Sequence, residues 1–319
     1  MNPLFNPILL AKVARSYILD VNRIKRYSRE KMENYRNKVF LKILKYASKV
    51  PLYMEKYRNI NLAEIKSLKD LHKLPMITKE DIRKAFPDRL LPRGKKKESF
   101  SVVSTSGSTG KPVSLFVEPI CMFKTLVGFV RVLREYNLSW RRDRIAIIAD
   151  LSQGSAEEEY FSRTAIPSIN SIIPLENIRV YHVGDNPEEI LNDLNKFKPD
   201  LIGGYPGILQ VLAILKNRGK ADNLRPRYIG SSGAVLDNYT RKYIEDAFDA
   251  RVFEVYGATE CSPMAFECKE GNIHIQTDFV NMEFWNGRGE VASPGELSTI
   301  IVTCLREGGT PIIRYSGIS

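Results

Sequence analysis

The sequence is poor in cysteine, tryptophan and histidine, and it lacks a long apolar run. Its 319 residues include 4 Cys, 2 Trp and 3 His. The cysteines are too few and too unevenly placed for a disulfide framework, so a reducing cytoplasm is the expected compartment. No apolar stretch approaches the roughly 20 residues of a membrane-spanning helix. The apolar stretch at 3–14 is not followed by a small-residue cleavage site, so no secretory signal is expected.

Positive charge is concentrated in the first third of the chain. The net charge is +11, and residues 1–100 hold 25 Lys+Arg against 10 Asp+Glu. Such a basic segment could contact nucleic acid, an anionic membrane surface or an acidic carrier. Because these cations are spread at helical spacing, solvated helix faces are the simpler interpretation. Few aromatic residues lie among them, which argues against specific nucleic-acid recognition.

The N-terminal part has a helical pattern. The chain is longer than one compact core usually holds, which favours a large domain with an extra lobe. Apolar residues at three- and four-residue spacing between Tyr27 and Val50 predict an amphipathic helix, which Pro51 is expected to stop. Another helix is predicted to begin at Thr78, whose hydroxyl can cap the following amides. We therefore predict a helical lobe over residues 1–95.

From residue 96 onwards, predicted strands and helices alternate. The predicted strands are 99–103, 113–117, 144–149, 200–203, 227–231 and 251–256, and the predicted helices are 119–137, 187–197, 206–217 and 238–247. This alternation indicates an α/β core in which helical crossovers join parallel strands. Beyond Tyr256, three further strands at 272–277, 282–285 and 295–305 suggest a smaller, more antiparallel β region. We assign residues 96–319 to this second domain.

A loop rich in hydroxyls and glycine separates the first two predicted strands. It reads Ser104, Thr105, Ser106, Gly107, Ser108, Thr109, Gly110, Lys111, Pro112. The two glycines let backbone amides converge on an anion, and Lys111 adds a positive charge for phosphate oxygens. The spacing differs from that of a Walker loop, and Pro112 offers no hydroxyl to Mg²⁺. A flexible hairpin tip would explain the glycines but not the lysine.

This loop resembles the phosphate-binding signature of the adenylate-forming superfamily, in which a carboxylic acid attacks the α-phosphate of ATP. The resemblance implies that Ser104–Lys111 binds ATP. A second segment, Tyr256–Glu260, resembles the Y-G-x-T-E element of that family. In that element Tyr256 would stack on adenine, Gly257 would allow close backbone approach, Thr259 would donate to the α-phosphate and Glu260 would hold Mg²⁺. Lys111, Thr259 and Glu260 are accordingly the expected catalytic residues.

Further segments resemble the remaining motifs of the large domain. The segment Ser231, Ser232, Gly233, Ala234 is expected to line the adenine and the acyl group, and it follows a strand where open α/β sheets bind ligands. Tyr205 and Pro206 resemble the loop that borders the acyl pocket. The segments 295–297 and 311–315 resemble the last two motifs.

Within the superfamily, the phenylacetate–CoA ligase branch with its CapK relatives fits best. The segments Pro51–Tyr53 and Leu74–Lys79, together with Glu267-Cys268 and His274, resemble that branch. The expected fold is therefore the α/β large domain of an adenylate-forming enzyme. The expected ligands are ATP, Mg²⁺, a small carboxylic acid and coenzyme A.

The chain departs from the family pattern after Arg314-Tyr315. Ser319 stands near the position of an aspartate that binds ribose hydroxyls in the family, and serine lacks its two charged acceptors. The C-terminal small domain of the family is expected to be absent. A truncated ligase, a ligase completed by a separate partner or carrier protein, and a non-catalytic nucleotide-binding protein docking through its basic lobe all remain open.

Cys261, Cys268 and His274 are the candidate zinc ligands, because some relatives hold a metal in this region. A structural zinc site normally has four ligands, with pairs two to four residues apart. The three candidates are spaced by seven and six residues. Ordinary cysteines and a surface histidine are therefore the favoured interpretation.

Overall fold

The computed structural model describes residues 3–105, 112–261, 263–306 and 308–318. The helices are α1 (Pro7–Asp20), α2 (Arg23–Arg26), α3 (Arg29–Ala47), α4 (Pro51–Lys56), α5 (Lys79–Ala85), α6 (Pro119–Glu135), α7 (Ala156–Glu158), α8 (Ala165–Asn170), α9 (Pro187–Phe197), α10 (Pro206–Asn217) and α11 (Asn238–Phe248). The strands are β1 (Ser101–Ser104), β2 (Ser114–Val117), β3 (Ile145–Ala149), β4 (Ile178–His182), β5 (Leu201–Gly204), β6 (Tyr228–Ser232), β7 (Arg251–Tyr256), β8 (Ala265–Glu267), β9 (Ile273–Ile275), β10 (Val280–Trp285) and β11 (Thr299–Cys304).

The chain forms two compact units that interleave along the sequence. The first unit comprises Met1–Leu10, Leu126–Gly257 and Pro263–Ile275. The second unit comprises Ala11–Thr125, Ala258–Ser262 and Gln276–Ser319. That residues 1–95 form a separate domain stays a prediction. Its described residues contain helices and helical turns but no strand.

A mostly parallel sheet forms the centre of the first unit. In the described residues its strand order is β4-β3-β5-β6-β7-β8-β9. The strands from β4 to β7 pair in parallel, whereas β8 and β9 add an antiparallel edge. The strand β3 reads IAIIA and is buried on both faces, as is typical of a parallel strand covered by helices. The predicted α/β core is confirmed.

The two faces of this sheet have separate apolar cores. On one face, Ala146 and Ile148 of β3 join side chains of α9, α10 and α11. On the other face, Ile145 belongs to a second cluster in which the ring of Tyr136 stacks on Phe253 at 4.1 Å. Successive residues of a strand point to opposite faces, so β3 contributes to both cores. Apolar side chains therefore pack on both sides of the sheet, and its carboxyl edge carries the loops that follow β5, β6 and β7.

The second unit combines helices with two antiparallel strand pairs. The strand β1 pairs with β2, and β10 pairs with β11. Tyr315 forms single bridges to Ile77 and Val302, which join the segment before α5 to β11. The buried hydroxyl of Tyr53 in α4 donates to the carbonyl of Pro311 at 2.7 Å. The helical segments and the late β strands of this unit are therefore built as one core.

Several predicted boundaries agree with the structure. The helices α9 and α10 and the strand β7 have the predicted limits, and Thr78 caps α5 in a reciprocal capping box with Asp81. The helix predicted between Tyr27 and Val50 ends at Ala47, before Pro51, and Pro51 itself begins α4. Proline is favoured in the first turn of a helix, where its missing amide hydrogen is not needed. The elements α7, α8, β4 and β8 were not predicted.

Candidate nucleotide and acid site

The predicted site residues fall in both units. The motif Tyr256–Glu260 itself crosses from the first unit to the second between Gly257 and Ala258. The residues of each unit form their own local arrangement. In the second unit they lie around β1, β2 and Glu260, and in the first unit they lie at the carboxyl edge of the parallel sheet.

The strands that flank the predicted phosphate loop form a closed hairpin base. The hydroxyls of Ser104 and Ser114 are hydrogen-bonded at 2.8 Å. The amide of Thr105 donates to the carbonyl of Val113, and the Thr105 hydroxyl accepts from the amide of Val113, both at 3.0 Å. These three hydrogen bonds fix the two ends of the loop side by side. The predicted ligands Ser106, Gly107, Ser108, Thr109, Gly110 and Lys111 lie outside the described residues, as does Ser319.

Glu260 is held by a buried tyrosine. The hydroxyl of Tyr315, which has no exposed surface, donates to Glu260 Oε1 at 2.7 Å. Burial, together with the neighbouring Glu260 carboxylate, raises the pKa of Tyr315 above its ordinary value. The tyrosine therefore stays protonated at neutral pH and remains a donor. Glu260 and the adjacent Thr259 are half-buried, so the carboxylate combines a fixed orientation with partial access to solvent.

Arg314 anchors the segment that carries Tyr315. Its guanidinium contacts both carboxylate oxygens of Glu283 at 3.1 Å and donates to the carbonyl of Leu74 at 2.6 Å. Its backbone has φ of 49°, a left-handed conformation that is uncommon for residues other than glycine. A buried ion pair with additional hydrogen bonds can hold such a conformation. Arg314 and Tyr315 belong to a segment that resembles a family motif, but their residue types alone indicate no role for either of them.

Cys261, which follows Glu260 directly, and Cys304 both have buried thiols. The thiol of Cys261 is hydrogen-bonded to the sulfur of Cys304. Burial raises the pKa of Cys261. The hydrogen bond from Cys261 lowers the pKa of Cys304, and the nearby Arg306 acts in the same direction. In this pair Cys261 is the donor and Cys304 the acceptor.

In the first unit, the predicted adenine and acyl ligands stand at the carboxyl ends of β6 and β7. Ser232 ends β6, and its hydroxyl donates to the carbonyl of Val255 at 2.8 Å. Ser231 is buried, and its hydroxyl has no hydrogen-bond partner among the described residues. Gly233 and Ala234 follow as an exposed turn, and half-buried Tyr256 ends β7. Because parallel strands share one carboxyl edge, these residues lie at a single rim of the sheet.

Tyr205 and Glu157 form a half-buried polar pair at the same rim. Tyr205 stands between β5 and α10, directly before Pro206, and its hydroxyl donates to Glu157 Oε2 at 2.6 Å. Burial raises the pKa of both side chains. Glu157 also accepts a hydrogen bond from the amide of Asp150, so it connects the loop after β3 to the loop after β5. Glu157 is not among the predicted site residues, because nothing in the local pattern of α7 indicates a partner 48 residues away.

The ring of Tyr205 requires glycine at position 233. Gly233 has φ of +82°, and a Cβ atom there would lie 2.4 Å from Tyr205 Cε1. We predict that Gly233→Ala destabilises the protein by about 2–4 kcal/mol, through left-handed strain and overpacking together. Urea unfolding measures this change. Gly207→Ala is the control, because a Cβ atom there meets nothing within 4 Å. Equal stability of the two variants would contradict the prediction.

No zinc site is formed by the three candidate ligands. In the described part of the chain, no group of three or more His, Cys, Asp or Glu side chains could hold a metal ion. The thiol of Cys261 pairs with Cys304, the thiol of Cys268 is hydrogen-bonded to Glu270, and His274 is exposed on β9. Each candidate thus has its own surroundings, and the zinc site stays a prediction.

Comparison with solved structures defines the class of fold. A structure of 2-hydroxyisobutyryl-CoA ligase, in the postadenylation state in complex with 2-HIB-AMP, superposes with a TM-score of 0.76 and 18% identity. The match covers 91% of this chain and 62% of that one. The fold of this chain is therefore the fold of the corresponding 62% of that ligase chain. No protein-family profile matches the chain.

Two curated relatives resemble the chain along most of its length. Protein CapK of Staphylococcus aureus is 27% identical over 292 residues, which covers 89% of this chain and 61% of CapK. Phenylacetate-coenzyme A ligase of Aromatoleum evansii is 26% identical over 284 residues, which covers 83% of this chain and 60% of the ligase. The resemblance to the CapK and phenylacetate–CoA ligase branch of the adenylate-forming superfamily is confirmed. The chain spans about 60% of the length of these relatives.

Proposed function

We propose that this protein activates a carboxylic acid with ATP, forming an acyl-adenylate and pyrophosphate. A carboxylate oxygen of the acid forms a bond to the α-phosphorus of ATP. The bond from that phosphorus to the oxygen bridging to the β-phosphate breaks, and pyrophosphate leaves. The substrate carboxylate is itself the nucleophile, so the protein needs no activated serine or cysteine. What the protein must supply is binding, orientation and stabilisation of phosphate charge.

The observation that carries this proposal is the hydrogen bond between Tyr315 and Glu260. A carboxylate that binds Mg²⁺ has to be ionised and oriented, and the buried Tyr315 hydroxyl supplies the orientation. Glu260 would hold Mg²⁺, which neutralises phosphate charge when it is bound. Thr259 would donate to the α-phosphate. Both residues belong to the motif through which the chain resembles ATP-dependent ligases.

The loop between β1 and β2 would bind the phosphates. Its ends are held together by the hydrogen bonds of Thr105 and Ser104. The amides of Gly107 and Gly110 and the ammonium group of Lys111 are the proposed donors. The fixed hairpin base supports this assignment.

The rim of the parallel sheet would hold the adenine and the acid. Tyr256 would stack on adenine, and Ser232, Gly233 and Ala234 would line it. Tyr205, Pro206 and Ser231 would border the acyl group. The buried hydroxyl of Ser231, which lacks a hydrogen-bond partner among the described residues, supports a polar ligand here. Glu157 would act as a positioning residue that holds Tyr205.

We further propose that the acyl-adenylate passes its acyl group to coenzyme A or to a carrier protein in the cytoplasm. The adenylate is a reactive anhydride, so a thiol acceptor is the chemically suited partner. Phenylacetate-coenzyme A ligase and 2-hydroxyisobutyryl-CoA ligase are named for such a product. A separate protein could supply the surface that admits this acceptor.

Acid-dependent exchange of labelled pyrophosphate into ATP tests the proposed function. The assay uses the full chain, Mg²⁺ and a panel of aryl and short-chain acids that includes phenylacetate. We expect exchange with at least one acid and none without acid. In parallel, calorimetry with a non-hydrolysable phenylacetyl-adenylate analogue measures binding to the same site.

Two outcomes would contradict the proposal. If ATP binds but no acid supports exchange, the chain is a nucleotide-binding protein without ligase activity. If neither ATP nor the adenylate analogue binds, the resemblance extends to the fold alone.

A further inference from the structure

Exposed apolar side chains are concentrated at the N-terminal end of the described chain. Among the described residues, eighteen large hydrophobic side chains are exposed, and six of these precede α3. They are Phe5, Ile8, Leu10, Ile18, Leu19 and Ile24. Single exposed apolar residues are ordinary, whereas exposed apolar residues that form one patch mark an interaction surface.

The helix α1 carries most of this cluster. It reads PILLAKVARSYILD, and its buried residues are Ser16 and Asp20. At 100° per residue, Ile8, Lys12, Arg15, Ile18 and Leu19 fall within about one third of the helix circumference, and the buried Ser16 and Asp20 lie outside that third. These five residues are called the outer face of α1. Ile8 and Ile18 are 67% and 64% exposed, so the fold does not cover the apolar part of this face.

The exposed charges between residues 3 and 29 have one sign. Between residues 3 and 29 the acidic residue is Asp20, and the basic residues are Lys12, Arg15, Arg23, Lys25, Arg26 and Arg29. Asp20 is buried and paired with Arg23, which also contacts Asp278 at 2.9 Å. The exposed charges on this segment are therefore positive. An anionic surface is the partner that complements them.

We propose that α1 is an interfacial anchor that places the protein on an anionic lipid bilayer. Ile8, Ile18 and Leu19 insert among the acyl chains near the headgroups, while Lys12 and Arg15 extend their charged ends to lipid phosphates. A nucleic acid would match the cations but would leave the isoleucine and leucine side chains in water. A protein groove would match the apolar side chains but would not favour cations in the middle of the face.

The anchor lies on the membrane and does not cross it. In the described part of the chain, no helix is long and apolar enough to span a bilayer. An anchor of this kind binds through two weak terms, apolar burial and attraction to anionic headgroups. Binding is therefore reversible, and it depends on both lipid charge and salt.

Co-sedimentation with vesicles tests this anchor. The full chain is mixed with phosphatidylcholine vesicles made with or without phosphatidylglycerol. We expect binding only to the anionic vesicles, weakening as salt rises toward about 0.15 M. The double variant Ile8→Asp/Ile18→Asp is expected to lose at least about tenfold in affinity. Lys12→Gln/Arg15→Gln is expected to lose about fivefold for each cation and to depend less on salt.

A matched control replaces exposed apolar residues elsewhere. Val291 and Leu297 are 74% and 93% exposed, so Val291→Asp/Leu297→Asp changes the same chemistry at another place. This control is expected to bind vesicles like the parent chain, and all variants are expected to keep the parent melting temperature. Equal loss of vesicle binding in the control would overturn the proposal.

Other occupants of the outer face are distinguished by the same variants. In one alternative, the parent chain does not bind anionic vesicles but forms a dimer in sedimentation velocity. If Ile8→Asp/Ile18→Asp then abolishes the dimer, the outer face is an interface between two copies. If the parent chain binds DNA or RNA but not vesicles, Lys12 and Arg15 contact nucleic-acid phosphates instead of lipid phosphates. Either result overturns the membrane anchor and leaves the pyrophosphate-exchange result unaffected.

Discussion

Replacing Glu260 by glutamine is expected to lower acid-dependent pyrophosphate exchange by about 10²–10³-fold, the size of effect seen when one charge-stabilising group is removed from an active site. Glutamine keeps the size of the side chain and can still accept a hydrogen bond from Tyr315. It loses the negative charge with which Glu260 would hold Mg²⁺. Exchange rates at saturating ATP and a series of Mg²⁺ concentrations measure the effect, which should appear mainly in kcat.

Two companion variants separate charge from orientation. Tyr315→Phe removes the hydroxyl that donates to Glu260 at 2.7 Å, and we expect a smaller loss of about tenfold with an increased requirement for Mg²⁺. Glu290→Gln removes a carboxylate that is 65% exposed beside Arg288, and it should exchange like the parent chain. If Glu260→Gln retained parent exchange while Glu290→Gln behaved normally, Glu260 would have no role as a metal ligand.

Replacing Arg314 by methionine is expected to destabilise the protein by about 3–5 kcal/mol, the usual cost of removing one partner of a buried ion pair. Only 5% of the Arg314 side chain is exposed. Its loss would leave the Glu283 carboxylate and the carbonyls of His72 and Leu74 without their donor. The midpoint of urea unfolding measures the change.

The control for this prediction is Arg288, an arginine that is also paired with glutamate but is exposed to solvent. Arg288 contacts Glu290 and Glu296, and it is 74% exposed. Exposed ion pairs contribute little, so Arg288→Met should change stability by no more than about 0.5 kcal/mol. Adding Glu283→Gln to Arg314→Met should recover part of the loss, because the double variant no longer buries an unpaired charge. Equal midpoints for the two single variants would exclude Arg314 as an anchor.

The regular elements of the first unit could be predicted because their signals are local. The strand β3 is an uninterrupted apolar run, and α9 and α10 each begin with a proline in the first turn. The strand β4 was missed because it lies at the sheet edge and reads IRVYH, with neither an apolar run nor strict alternation. Position at an edge is a property of the assembled sheet, so the sequence of the strand does not encode it clearly.

The candidate site could be predicted only where it consists of contiguous motifs. The loop around Gly107 and the segment Tyr256–Glu260 have recognisable residue types at short spacing. The side chains that orient these motifs lie far away in the sequence and belong to no such pattern. Tyr315 reaches Glu260 from 55 residues away, and Tyr205 reaches Glu157 from 48 residues away. Both contacts depend on the tertiary fold, which brings distant segments together, and the local sequence pattern does not predict them.

The hydrogen bond from Tyr53 to the carbonyl of Pro311 has a consequence for biosynthesis. The two residues are 258 positions apart. At translation rates of about 5–20 residues per second, roughly 10–50 s pass between the emergence of the first partner and that of the second. During this interval α4 has left the ribosome without the segment that completes its core. We therefore expect the nascent chain to expose apolar surface and to be a natural client for chaperones until residue 311 has emerged.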